Sequence, residues 1–258
     1  MLSLKDKIVF ITGASSGIGK ACAEQFAALG AHVILTARRL ERIQVLAEQL
    51  QQKYSIKTWV MQLDVRDQYA VKRAVDGLPA FWKPIAILIN NAGLGVGLDK
   101  LQNADPAGWD QMIDTNIKGL LYVTHAILPG MVARNFGHVI NIGSAAGHGC
   151  YPGGNVYCAT KHAVKALSES TRIDLFGTSV RVSSVDPGFV QTEFSEVRFK
   201  DKVRAAKVYE GFQALMPEDI ADAIAYCATR PLHVDVTDMI IMPTAQAALT
   251  MVYREEKK

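Results

Sequence analysis

Seven short runs rich in β-branched and aliphatic residues, separated by longer stretches of helical periodicity, organise the whole sequence. They read "KIVFITG", "HVILTAR", "KTWVMQLDV", "IAILINNAG", "GHVINIGS", "SVRVSSVDPG" and "VDVTDMIIMP". Runs that are apolar on both faces are buried by a parallel sheet with a layer of helices on each side. The intervening periodicity predicts helices over about 17–29, 40–53, 70–76, 109–134, 155–176 and 217–229, with Pro129 and Gly130 bending the far end of the fourth. No change of composition marks a linker, and 258 residues of which 49% are hydrophobic supply the core of one large domain. The expectation is a single doubly wound α/β domain over 1–258, with seven parallel strands flanked by helices on both faces.

Several function classes drop out. A formal net charge of +3 without a Lys/Arg-rich run is not the footprint of a nucleic-acid binder. No apolar stretch reaches bilayer-spanning length, and "MLSLKDKIVF" lacks a signal peptide's basic start, apolar run and cleavage site. Cys22, Cys150, Cys158 and Cys227 form no CxxC and no metal-ligand pattern, so they read as reduced thiols of a cytoplasmic protein. The histidines are scattered singly, and no metal site is expected.

The first strand runs into "TGASSGIG", which places Gly13, Ser15, Ser16, Gly17, Ile18 and Gly19 ahead of a helix. Glycines there permit a tight turn and let backbone N–H groups approach a pyrophosphate at the helix N-terminus. The spacing is GxxxGxG rather than GxGxxG. At the end of the second strand, where an NAD site places a carboxylate for the ribose hydroxyl, stand Ala37, Arg38 and Arg39. No acid is present to repel a phosphate, and a guanidinium grips one bidentately, so the pattern predicts NADP(H) over NAD, with Arg38 foremost. Asp64 and Val65 end the third strand, with the acid suited to the adenine amine. Asn91, Ala92 and Gly93 end the fourth, where small residues let a cofactor pass closely.

In "GGNVYCATKHAV", Tyr157 and Lys161 lie four residues apart and share one helix face, with Asn155 suited to cap the helix. An ammonium near a phenol favours the phenolate and lowers a pKa that is about 10 in the free side chain. A half-buried tyrosine beside a solvated lysine is the alternative reading of the pair.

Taken in order, "TGASSGIG", "NNAG", "DTNIKG", "INIGSAAG", "YCATK" and "DPG" make the chain resemble the short-chain dehydrogenase/reductase family. "MIDTNIKGLLYVT", "GGNVY", "TEFSEVRFK" and "MPEDIADAIAY" bring it closer to the NADP-dependent 3-hydroxy acid and serine dehydrogenase branch. The resemblance implies a Rossmann fold and a four-residue catalytic set. Tyr157 would be general acid or base, Lys161 would lower its pKa and hold the nicotinamide ribose, and Ser144 would orient the reacting oxygen. Asn116 would interrupt the long helix by holding a water that links Lys161 to solvent. Cofactor contacts would extend to Pro187, Gly188, Val190 and Thr192.

The same resemblance implies a substrate lid over about 188–216, for which no clear strand pattern is visible. Its charges suggest that Arg198 or Lys200, together with His148, meets a substrate carboxylate, a solvated charged helix being the alternative. The apolar C-terminal segment 234–258 and the long helices would pack in a homotetramer. The implied reaction interconverts a small 3-hydroxy acid with its 3-oxo acid or semialdehyde. A 3-oxoacyl or broad carbonyl reductase, and a non-catalytic NADP-binding module, are the alternatives.

Overall fold

The computed structural model describes residues 2–255. Strands β1 (Ile8–Thr12), β2 (His32–Ala37), β3 (Thr58–Gln62), β4 (Ile85–Asn90), β5 (Gly137–Ile142), β6 (Val180–Pro187) and β7 (Asp238–Ile241) form one sheet in the order β3-β2-β1-β4-β5-β6-β7. Every neighbouring pair is parallel. The order reverses between β1 and β4, and the crevice at such a switch point is where sheets of this kind bind ligands.

Both faces of the central sheet are covered, which is why β1, β2 and β4 read as mostly apolar runs, whereas β3 and β7 at the edges are only partly buried. Val9, Ile11, Val33, Leu35, Ile87 and Ile89 face helices α1 (Gly17–Ala28), α2 (Leu40–Tyr54) and α9 (Pro217–Thr229). Their strand neighbours Ile8, Phe10, Ile34, Leu88, Val139 and Val182 face α3 (Gln68–Asp76) and α5 (Leu120–Ala133). The period of two along each strand thus divides one core into two layers.

The long helix expected over 109–134 is three pieces: α4 (Pro106–Ile113), a widened π turn over Asp114–Gly119, and α5. Asp105 caps α4 by accepting from Ala107 N, and Pro106 fills the first turn, where its missing N–H costs nothing. Pro129 lies inside α5, which continues to Ala133.

Two further departures from expectation affect the site. Helix α6 (Asn155–Asp174) is capped by Gly154, not Asn155. The chain enters through Gly153 at φ +76°, and the Asn155 amide instead donates to Asp99 O at 3.0 Å, tying α6 to the loop after β4. The irregular segment after β6 contains two short helices, α7 (Phe194–Phe199) and α8 (Lys202–Lys207), the second capped by Asp201. The tail forms a hairpin of β8 (Gln246–Ala248) and β9 (Met251–Val252) and lies on this segment. Gln246 Oε1 accepts from Phe189 N at 3.0 Å, and the Arg254 guanidinium donates to Val208 O at 3.0 Å and to Glu210 O. The last residues of the expected C-terminal segment, 256–258, lie outside the described residues. No helix among the described residues is long and apolar enough to cross a membrane.

Candidate active site

A cleft of about 790 Å³ opens along the carboxyl ends of the strands, large enough for a dinucleotide with a small second ligand. At one end, Thr12 closes β1 onto β4. Its hydroxyl donates to Ile89 O at 3.3 Å and accepts from Asn91 N and Ala92 N, both at 2.9 Å. Asn91 answers by donating to Thr12 O at 2.9 Å and Gly13 O at 3.2 Å. Gly13 sits at φ +67°, and a Cβ on Gly19 would lie 2.4 Å from Asn91 Nδ2, so any side chain there forces the loop open. Gly13, Ser15, Ser16, Gly17 and Ile18 line the cleft, whereas Gly19 braces it from behind.

Arg38 and Arg39 separate in role. Arg38 is exposed along the cleft wall. Arg39, the residue before α2, folds back over the glycine loop. Its Nη2 donates to Ser15 Oγ at 2.9 Å and Ser16 Oγ at 2.8 Å, and its Nη1 to Glu193 Oε2 at 2.8 Å. Ser16 precedes α1 without a side-chain cap, so the first amides of that helix stay open to an anion. This donor set, with Ala37 in place of a carboxylate, fits a phosphorylated adenosine ribose.

Asp64 and Val65 line the same wall, but the Asp64 carboxylate is already gripped by Arg66 at 2.6 Å, which holds it below the usual carboxylate range. Ala92 and Gly93 follow, and Pro187, Gly188, Val190 and Thr192 form the opposite wall.

At the other end stand the α6 side chains. Tyr157 is 9% and Lys161 7% exposed, which excludes the solvated-lysine alternative. Lys161 Nζ donates to Ile142 O at 2.9 Å and lies 5.9 Å from the Tyr157 ring centre. Burial lowers the Lys161 pKa to about 8, with Asp186 pulling it back up. Burial also pushes the Tyr157 phenol well above its ordinary value, Tyr151 adds to the rise, and Ser144 and Arg198 oppose it. The simple expectation of a phenol lowered by its neighbouring ammonium is therefore corrected. Both groups are desolvated, and desolvation disfavours both charged forms.

Ser144 follows β5 and faces the cleft beside Tyr157. Its N–H donates to Asp186 Oδ1 at 3.0 Å and its hydroxyl accepts from Ala146 N at 3.1 Å. Asn116, in the π turn, does not line the cleft. Its amide donates to Leu94 O at 2.9 Å and Thr160 Oγ1 at 3.0 Å and accepts from Leu94 N at 2.9 Å. The side chain thus pins the loop after β4 against α6 and leaves only main-chain groups of the widened turn for a water.

Of the three substrate candidates, only Arg198 reaches the cleft. Its Nε donates to Gly97 O at 2.9 Å and Nη1 to Tyr151 Oη at 2.8 Å, and its guanidinium centre is 5.1 Å from the Tyr157 ring centre. His148 does not line the cleft and points to the buried Asp186, Nε2 to Oδ2 at 3.2 Å. Lys200 terminates α7 at φ +52° and is exposed. Tyr151, Gln246 and Arg254 also line the cleft, although the sequence does not single them out. "YPGG" just ahead of the Tyr157 helix was the available signal for Tyr151, whereas nothing local marks the two tail residues.

A doubly wound sheet whose switch-point crevice leads from a glycine loop to a buried Tyr-Lys pair defines a nicotinamide-type oxidoreductase scaffold. The chain belongs to the short chain dehydrogenase family, whose profile matches residues 7–203. It is 49% identical over 242 residues to the NADP-dependent 3-hydroxy acid dehydrogenase of Salmonella typhi, covering 93% of this chain and 96% of the relative. It is 46% identical over 242 residues to sulfoacetaldehyde reductase 2 of Chromohalobacter salexigens, covering 93% and 95%. Among solved structures, the closed form of serine dehydrogenase complexed with NADP+ superposes with a TM-score of 0.90 at 45% identity, covering 96% of this chain and 100% of that one.

Proposed function

We propose that this enzyme uses NADP(H) to interconvert small 3-hydroxy acids, of the serine, allo-threonine or 3-hydroxypropionate type, with the 3-oxo acid or semialdehyde. The observation that carries the reading is Arg198, a guanidinium brought by α7 to within 5.1 Å of the Tyr157 ring, where it meets the carboxylate of a three-carbon substrate whose oxygen reaches Tyr157. A broad carbonyl reductase or thioester reductase has no use for a cation so close to the reacting centre. The NADP-dependent 3-hydroxy acid and serine dehydrogenase relatives support the same assignment.

NADPH, when bound, supplies the hydride for the carbonyl carbon. Tyr157 Oη donates its proton to the carbonyl oxygen, and in the oxidative direction takes it back from the alcohol. Ser144 Oγ holds the reacting oxygen. Lys161 stabilises the phenolate left after proton donation, and Asn116 keeps Lys161 and the β4 loop in register while main-chain groups of the π turn open a proton path to solvent. Arg38, Arg39, Ser15 and Ser16 would hold the 2′-phosphate, and the first amides of α1 the pyrophosphate. Burial of Tyr157 keeps it protonated near neutral pH, the form that donates a proton to a carbonyl oxygen.

The pH dependence follows from Lys161. Its proton is lost as pH rises through about 8, so the cation that stabilises the phenolate disappears above that point. With NADPH and an oxo acid, kcat/KM is expected to be flat at neutral pH and to decline above about 8, because this parameter reports groups of the free enzyme. A profile that stays flat two units higher contradicts the assignment.

Cofactor choice is tested by direct binding. Truncating Arg39 to Ala removes a charge-assisted contact and is expected to weaken NADP+ by roughly 10- to 100-fold while changing NAD+ little. Equal losses for both dinucleotides, or a wild-type preference for NAD+, overturn it.

The active unit of this reading is one domain over 1–258 with a lid over 188–216, assembled as a cytoplasmic homotetramer. Exposed Leu121 and Val132 on α5 and exposed Ile173 on α6, with Phe176 just beyond its end, support an apolar interface along those helices.

A further inference from the structure

Glu193 stands immediately before lid helix α7 and reaches across the mouth of the cleft. Its two carboxylate oxygens are divided between two arginines of the cofactor end: Oε2 accepts from Arg39 Nη1 at 2.8 Å and Oε1 from Arg42 Nη1 at 2.7 Å. Arg39 holds Ser15 and Ser16 with the rest of its fork, so carboxylate, arginines and serine hydroxyls form one cluster. The charged neighbours on the far side of Glu193 are Lys20 of α1 and Glu41 of α2, which line a shallow recess with it. Next to Glu193, Thr192 packs its side chain 3.3 Å from where a Cβ on Gly17 would stand, so the start of the lid rests on the glycine loop.

We infer that Glu193 is a stand-in anion, holding the two arginines in the place that the 2′-phosphate of the cofactor takes, and that the phosphate must displace it. The inference rests on the NADP reading above and adds a residue that sets cofactor discrimination and couples it to the lid. Three N–H groups of Arg39 are occupied by the serines and one by Glu193, which leaves a fifth that cannot grip a phosphate bidentately. A phosphate dianion beside an ionised carboxylate is repelled, and the Arg39 and Arg42 hydrogen bonds keep Glu193 ionised. A ligand with a plain ribose hydroxyl makes no such demand and leaves Glu193 in place. The first lid turn is therefore released by a 2′-phosphate and retained by its absence.

The test measures affinity and lid protection without turnover, using 2′,5′-ADP and 5′-AMP as probes with the full chain, wild type and Glu193→Gln. Glutamine keeps the shape and removes the charge. Because the side chains are about 40% exposed, the effect is modest: 2′,5′-ADP is expected to bind about three- to tenfold more tightly to the variant, and 5′-AMP equally to both. Glu193→Ala is expected to follow Glu193→Gln in direction. In hydrogen exchange on the wild type, the amides of 194–199 are expected to exchange faster with 2′,5′-ADP than with 5′-AMP. Unchanged or weaker 2′,5′-ADP binding in both variants, or greater protection of 194–199 by 2′,5′-ADP, overturns the inference. A wild type that prefers 5′-AMP would instead overturn the NADP reading, so the two failures are distinguishable.

Discussion

Replacing Tyr157 with Phe is expected to lower kcat for reduction by about 10³-fold, within the 10²–10⁴ range of general acid–base catalysis, while NADP+ affinity stays within about a factor of two. The substitution removes one hydroxyl from a ring held by the α6 backbone and tilted against Phe194 at 5.6 Å between centres. That packing does not involve the hydroxyl, so the fold and the nicotinamide end of the cleft should persist. Thermal stability should hold or rise slightly, since a desolvated phenol becomes an apolar ring. The kinetic loss then belongs to the proton alone. A variant that keeps more than about a tenth of the rate shows that the carbonyl oxygen takes its proton from another donor.

Arg198→Ala carries the second large effect. For a carboxylate substrate, kcat/KM is expected to fall by roughly 100-fold, since truncating one partner of a charge-assisted pair costs about 2–5 kcal/mol. For an uncharged hydroxy ketone or alcohol of the same size, the loss should be several-fold at most. Some loss is expected there, because Arg198 also donates to Gly97 O and Tyr151 Oη and so shapes the wall of the cleft. It also opposes the rise in the Tyr157 pKa. The ratio of the two losses is therefore the readout. Arg198→Lys, which keeps the charge and gives up the planar fork, should recover part of the carboxylate activity. Equal losses on both substrates would make Arg198 a structural residue and remove the basis for a charged substrate.

The sequence carries the positions of Tyr157 and Arg198 but not the burial and contacts that set their chemistry. Strands β1, β2 and β4 are legible because every residue in them is buried and they read as mostly apolar blocks between turn residues, while β5 and β6, equally buried, mix in His138, Asn141, Arg181, Ser183, Ser184 and Asp186. The glycine loop, Asn91, Ser144, Tyr157 and Lys161 are legible because their backbone positions at strand and helix ends follow from that alternation. Side-chain direction is less legible. Arg38 and Arg39 are adjacent, and only the turn into α2 decides which of them folds over Ser15 and Ser16. His148 points away from the cleft towards Asp186, a buried carboxylate of β6, which no local pattern announces. Asp64 is legible as a strand-end acid but its ion pair is not, because its partner Arg66 lies in the loop beyond the strand. The lid shows no helical period in the sequence because α7 and α8 are six residues each, too short to display one. The Asp201 cap was the one available signal for α8, through its bonds from Val203 N and Arg204 N. The electrostatic correction at Tyr157 is of another kind: spacing reveals that an ammonium is near, but only burial reveals that both groups are desolvated.

The account stands or falls on the wild-type enzyme's choice of substrate and cofactor, followed through the nicotinamide absorbance. Malonic semialdehyde, an uncharged aldehyde of equal length and a 3-oxoacyl thioester are each offered with NADPH and with NADH. The account predicts rapid oxidation of NADPH by the semialdehyde, at least about tenfold slower reaction with the uncharged aldehyde and the thioester, and a large preference for NADPH over NADH. Equal turnover of charged and uncharged aldehydes, a preference for NADH, or cofactor binding with no turnover of any of them would contradict it.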